Sequence, residues 1–240
     1  MNTFGSSTFV VPPAGDAHAI TVYPRQKAGS YSSVSAHRTC PLAFRFRKID
    51  RLPEPPNVAM DRGTSLHADM AHYINTGAWP QGSGISSWWE PHLNKLRSFN
   101  AVPEQQIAFD KDWKVVPWFG AHVWWRAVLD AVHFNEGVVV DEWKSGQAYP
   151  EHADQLKMYC LAALKAYPSA TVARARIGYL DANKLSPALS VSRADEPALE
   201  AWLHEFSREY FNDAIYSARP NKWCSRCWFR KSNGGPCAHA

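Results

Sequence analysis

Apolar residues recur along this chain at two spacings. In HADQLKMYCLAALKAY, residues 152–167, they return every three to four positions, which predicts a helix ending near Pro168. EPALEAWLHEFSREYFNDAIY repeats that period, with Glu196 and Pro197 at its start. SVSAHRTCPLAFRFRKI reads as helical on both sides of a Cys-Pro junction, with Ser33 or Ser35 as the first cap. EPPNVAMDRG reads as a loop. TSLHADMAHYINTG then reads as a helix capped by Thr64 and stopped by Gly77. GISSWWEPHLNKLRSF predicts another helix, with Pro91 near its first turn.

The second spacing is two. PEQQIAFD alternates weakly, and WKVVPWF, AHVWWRAVLDAVHF, GVVVDEWKS and TVARARIGYLD read as strands, with LSVSR as a further one. Residues 1–30 are rich in small residues, Gly and Pro and hold no sustained period. They are expected to form a flexible N-terminal arm, with one short strand near TFVV. The order is helices, a strand meander, a helix, a strand and a helix. It predicts an α/β (α+β) fold in a single domain over residues 31–240.

One hairpin concentrates charge. In VLDAVHF-NEG-VVVDEWK a three-residue loop, 135–137, joins two strands, with Asn and Gly suited to its backbone angles. A turn centred on Glu136 sets Phe134 opposite Val138, Val132 opposite Val140 and Asp130 opposite Glu142. Lys144 shares the face of Glu142, while Asp141 and Trp143 point the other way. Two carboxylates opposite each other repel. A divalent cation held by hard oxygen ligands, Mg²⁺ or Mn²⁺, removes that penalty. From the hairpin alone, a solvated open end with Lys144 paired to Asp130 or Glu142 explains the charges equally well. On the following helix Gln155 and Tyr159 lie four apart on one face.

Composition adds little until it is read by position. The 240 residues are 45% hydrophobic and 20% charged, which suits a globular chain with a sizeable core. No apolar run of membrane-spanning length occurs, and the start lacks a basic-then-apolar signal segment, so a cytoplasmic location and no membrane partner are expected. The formal charge of +4 permits a nucleic-acid partner without arguing for one. The segment 219–240 is sharper: Arg219, Lys222, Arg226, Arg230 and Lys231 interleave with aromatic residues and no acidic side chain. That pattern suits a polyanion with stackable bases, and Arg226, Arg230 and Lys231 are candidate DNA contacts. Five cysteines, an odd number, argue against a disulfide framework and for a metal among the clustered thiols. Cys160, inside the predicted helix, reads as a core thiol.

Six short motifs in order resemble the RecB-like branch of the PD-(D/E)xK nucleases, a branch that includes AddB nuclease domains, CRISPR-associated adaptation nucleases and phage exonucleases. RGTSLH resembles its Gly-x-x-x-His, VLDAV its first acidic strand, EWKSG its (D/E)-x-K-(S/T)-G and QLKMY its Gln-x-x-x-Tyr. PEQQIAFD resembles the strand that often precedes them, with Glu104 in a commonly acidic position. TCPLAFRF resembles the upstream Cys-Pro of members with a four-cysteine cluster. The resemblance implies a restriction-endonuclease-like core, a mixed central sheet flanked by helices. It implies His67, Asp130, Glu142 and the Trp143 backbone carbonyl as metal ligands, with Asp130, Glu142, Lys144, Gln155 and Tyr159 in the catalytic set. Asp141 competes with Glu142 for the acidic role, and both the hairpin pairing and the spacing to Lys144 favour Glu142.

The same resemblance implies a [4Fe–4S] cluster on Cys40, Cys224, Cys227 and Cys237, joining the N- and C-terminal segments. A structural Zn²⁺ is the alternative that four thiolates also suit. The function implied is metal-dependent DNA exonuclease activity in phage or recombination and repair processing, in a bacterial cell or encoded by a phage. The expected partner is DNA with a free end, with a single-strand annealing or other recombination protein beside it. A CRISPR-adaptation-like end-trimming nuclease and a catalytically inactive DNA-binding module are the alternatives, and the intact Asp130, Glu142 and Lys144 set speaks against the second.

Overall fold

A computed structural model describes residues 21–239. The short strand expected near TFVV lies outside them. The first helix, α1 (Tyr31–Thr39), opens on Ser30, whose hydroxyl and the Ser33 side chain form a capping box. Pro41 lacks an N–H and disfavours a helical residue before it, so Cys40 is extended, closing α1 and opening α2 (Pro41–Lys48). Ahead of α1, the last part of the expected arm is held: Gly29 N–H donates to the Trp124 carbonyl, and Tyr210 Oη donates to the Ala28 carbonyl.

Helix α3 (Val58–Thr76) begins earlier than its apolar pattern suggests. Asn57 caps it by accepting the Met60 N–H, so VAMDRG, expected as loop, is helix. Thr64, expected as the cap, lies inside and donates its hydroxyl back to the Met60 carbonyl. Gly77 ends α3 in the left-handed region. A 3-10 turn at Ser87–Trp89 leads into α4 (Glu90–Ser98).

The strands are β1 (Val102–Phe109), β2 (Val115–Val116), β3 (Trp125–Phe134) and β4 (Val138–Lys144). After helix α5 (His152–Ala166) come β5 (Val172–Tyr179), β6 (Lys184–Leu185), β7 (Leu189–Ser192) and helix α6 (Glu196–Asn212). They form one mixed seven-stranded sheet in the order β2-β1-β3-β4-β5-β6, with β7 also on β5. Among the strands of the described residues, only β4 and β5 pair in parallel. A parallel pair needs a long crossover, and α5 supplies it. β6 is too short to show as alternation. In the hairpin loop the left-handed residues are Glu136 and Gly137, not Asn135. A side chain at Gly137 would also strike the Val172 carbonyl.

Two cores sandwich the sheet. One holds Val34, Phe44, Trp125, Leu129, Val132, Val140, Leu161, Leu203 and Tyr210, under α1, α2, α5 and α6. The other holds Leu66, Met70, Trp89, Leu93, Ala131 and Trp143, under α3 and α4. The alternation of β3 breaks between them. Trp125, Ala127 and Leu129 face the first core, Ala131 faces the second, and Val132 returns to the first. Asp130 sits at the break. Helices on both faces of a mixed sheet are consistent with the restriction-endonuclease-like core expected from the motifs.

Candidate active site

The break in β3 aims the first carboxylate. The β3–β4 register is Phe134↔Val138 and Val132↔Val140, and the ladder stops at Ala131↔Asp141. Asp130 therefore does not continue the ladder opposite Glu142. Its carboxylate turns toward β4 and accepts the Trp143 N–H at 2.7 Å. An extended residue points its N–H and C=O to the same edge, so the Trp143 carbonyl also faces β3, beside Asp130. On the other side of β3, the β1 ladder pairs Pro103↔Ala131 and Gln105↔Leu129 and skips Glu104. Glu104 is left-handed, at φ 50°. A non-glycine residue in that region is strained, and such strain gathers at functional sites.

His67, on α3, places Nδ1 3.3 Å from Asp130 Oδ1. His67, Glu104 and Asp130 each offer a ligand atom, all within 4.8 Å of one another. The second carboxylate stands beside them. Glu142 is 2% exposed. Its Oε1 accepts from Lys144 Nζ at 2.5 Å and from Gln155 Nε2 at 2.7 Å. Gln155 Nε2 is also 2.7 Å from Tyr159 Oη, so α5 holds the carboxylate from below. Glu142 Oε2 is buried with no hydrogen-bond partner.

The electrostatics follow from this crowding. Burial, then the neighbouring Asp130 charge, pushes the Glu142 carboxyl up to about 8 despite Lys144. Burial alone would lower Lys144, yet Glu142 and Asp130 hold its ammonium above the usual lysine range. Burial and then Asp130 raise Glu104. For His67 burial works downward, and Asp130 outweighs it, so the imidazole is shifted up. Two buried carboxylates with one lysine leave negative charge uncompensated, and a buried oxygen without a donor is costly. One imidazole and several hard oxygens are a donor set that Mg²⁺ or Mn²⁺ accepts, so the residues fit a divalent cation.

Asp141 is elsewhere. Fully buried on the opposite face, it is held by Arg176 Nε at 2.7 Å, His92 Nε2 at 3.0 Å and His133 Nε2 at 3.3 Å. Cys40, Cys224, Cys227 and Cys237 line one cavity of about 400 Å³ between α1, α2 and the tail, with Phe46 and Phe229. Cys160 is apart, packed near the Ala173 and Leu189 carbonyls, and burial pushes its thiol up to about 12. Of the three tail cations expected to touch DNA, Arg226 lines the cysteine cavity, Lys231 is exposed, and Arg230 is tied to Asn233 and the Ser225 carbonyl.

Two features escaped the ligand set read from sequence. The resemblance marks Glu104 only as a commonly acidic position, and nothing in PEQQIAFD signals its left-handed backbone. Asp181 carries no motif, yet it accepts hydrogen bonds from Nη1 and Nη2 of Arg62 and from the Gly146 N–H, fixing α3 to the loop after Lys144.

A family model described as the PD-(D/E)XK nuclease superfamily matches residues 28–232. No curated protein matches the chain. Among solved structures it is similar to the crystal structure of SSO0001, at 16% identity over 90% of this chain and 88% of that one, with a TM-score of 0.44. It is also similar to a Eubacterium rectale protein described provisionally as an exonuclease, at 10% identity over 84% and 87%, with a TM-score of 0.46. LHK-Exo, in complex with dAMP, matches at 15% identity over 77% and 90%, with a TM-score of 0.34.

Proposed function

The chain belongs to the PD-(D/E)XK nuclease superfamily, and from that membership we propose a divalent-metal-dependent deoxyribonuclease that works inward from DNA ends. The observation that carries the catalytic part is Glu142 Oε2, buried without a donor beside the Asp130 carboxylate. Asp130, Glu142, His67 and Glu104, with the Trp143 carbonyl, are the residues that would hold Mg²⁺ or Mn²⁺. Bound there, the ion would acidify a water and polarise the scissile phosphate.

The chain's own residues do the rest. Gln155, itself hydrogen-bonded to Tyr159, donates to Glu142 Oε1 and leaves Oε2 without a partner. Lys144 keeps its ammonium charged in direct contact with Glu142 Oε1, where it would steady the attacking water or the charge growing on the phosphate. Asp130, locked by the Trp143 N–H, cannot swing out of the site.

End-directed cutting and a setting in phage or recombination DNA processing draw on the RecB-like motif order. Residues 31–240 then act as one nuclease domain. The convergence of Cys40, Cys224, Cys227 and Cys237 supports a [4Fe–4S] cluster that clasps α1–α2 to the tail, with Zn²⁺ as the other metal four thiolates suit. Linear and covalently closed circular DNA of one sequence, incubated with protein and Mg²⁺ or Mn²⁺, test the reading. Loss of the linear form with the circle intact is expected. Equal attack on both would refute end-directed cutting, and attack on neither would refute the nuclease assignment.

A further inference from the structure

The aromatic residues of the tail do not stand alone. Trp223, 40% exposed, meets Tyr149, 45% exposed, with ring centroids 6.4 Å apart. Tyr149 belongs to the loop that follows Lys144, and its ring lies 5.6 Å from His152. His152 in turn stacks on Tyr179 at 5.8 Å, with Nδ1 3.2 Å from Tyr179 Oη. Tyr179 is the register neighbour of Lys144 across β4 and β5. Four rings thus run without a break from the cysteine-bearing tail to the edge of the active site.

The row is anchored and charged. Tyr31 Oη donates to the Glu151 carbonyl at 2.5 Å, pinning the loop to α1. Lys222 Nζ lies 5.0 Å from the Trp223 ring centroid, Arg226 follows on the same turn of tail, and Lys144 stands at the far end. The loop itself carries one acidic residue, Glu151. Trp223 and Tyr149 are exposed and His152 and Tyr179 half-buried. Accessible rings flanked by cations are what unpaired bases and their phosphates require, because every base offers a π-face whatever its sequence. A closed duplex keeps its bases stacked on each other and has no use for such rings.

We propose that Trp223, Tyr149, His152 and Tyr179 form a stacking track for single-stranded DNA that leads from the cysteine-bearing tail to Lys144. The proposal rests on the nuclease reading and specifies its substrate: a strand enters single and sequence-independent, held by its bases before its phosphate reaches the site. Asn221 holds the start of the track, donating to the Thr39 carbonyl of α1 and accepting the Trp223 N–H.

Full-length protein is titrated into a labelled oligothymidine of about 15 nucleotides in EDTA, so that binding is read without cleavage, and into a blunt duplex as control. Trp223→Ala and Tyr149→Ala are each expected to weaken single-strand binding about tenfold, with duplex binding unchanged. Trp223→Phe and Tyr149→Phe keep a ring and are expected to stay within about twofold of wild type. Wild-type affinity in both alanine variants overturns the track. So does an equal loss in the phenylalanine variants, or an equal loss for duplex, since either marks a disturbed tail rather than lost stacking. A wild-type protein that cuts linear DNA but does not bind the single strand overturns the track and leaves the nuclease reading standing; one that does neither overturns both.

Discussion

Asp141→Asn separates the two adjacent acids of DEWK by what each does. Asp141 is fully buried and accepts from Arg176, its register neighbour on β5, and from His92 and His133. Removing one member of a buried ion pair costs about 3–5 kcal/mol, because the partner charge is left stranded. Arg176 keeps 23% of its side chain exposed, so water relieves part of the loss. The lower end, about 3 kcal/mol, is expected. In a chain of this size that lowers Tm by roughly 6–12 °C. The effect depends on pH with a definite sign. Burial would raise the Asp141 carboxyl, but hydrogen bonds from His133, His92 and Arg176 outweigh it and hold it well below the usual carboxylate range. A depressed folded pKa adds stability above the unfolded value, about 3.9, and the gain disappears as pH falls below it. Thermal and urea unfolding at pH 7 and near pH 3, in EDTA, should show the wild type ahead by the full margin at pH 7 and by a shrinking one in acid. DNA cleavage at 20 °C, where the variant is folded, should stay within about twofold of wild type. Equal stability at pH 7 would refute the ion-pair account. A folded but inactive variant would move Asp141 into the active site.

Glu142→Gln should do the reverse: activity is lost, and stability in EDTA at pH 8 rises by on the order of 1–2 kcal/mol, since a charge held in a buried, acidic place is removed and the lost Lys144 pair offsets part of the gain. Mn²⁺ should raise the Tm of the wild type and leave that of Asp130→Asn unchanged within error, because only a site that binds the ion gains stability from it. Gly178→Ala should cost about 1–3 kcal/mol by overpacking, as its methyl would meet the rings of Trp143 and Trp89 at 2.7 and 2.8 Å; an unchanged urea midpoint would show that those indoles give way. Cys40→Ser should abolish iron and visible colour in protein prepared without oxygen, whereas Cys160→Ser should keep both; zinc without iron in the wild type would replace the cluster by a structural zinc site.

Elements with a repeating period were legible in the sequence, and so was the hairpin register from Phe134↔Val138 to Val132↔Val140, because a turn centred on Glu136 fixes those pairings. The failures occur where one local contact outweighs the pattern. Asn57 caps α3 before its apolar stripe begins, so NVAMDRG offers no period to read. The two-residue β6 is set by its neighbour rather than by its own sequence. At the site, Glu142 and Lys144 could be placed on one face from spacing alone. The pairing that sets Asp130 opposite Glu142 is one the ladder does not extend to, since the alternation of β3 breaks there. Glu104 needed the third dimension: its place beside His67 and Asp130 depends on a left-handed residue inside a strand, which no pattern of apolar positions announces.

The central claim is that the buried pair Asp130 and Glu142 works through a divalent cation on DNA. End-labelled linear DNA, incubated with wild type and with Glu142→Ala at equal folded concentration, in Mn²⁺ and in EDTA, tests it most directly. The account predicts release of label by the wild type in Mn²⁺ only, and a loss of about 10²-fold or more in the variant. Label released by Glu142→Ala as fast as by wild type, or by wild type in EDTA, would contradict it.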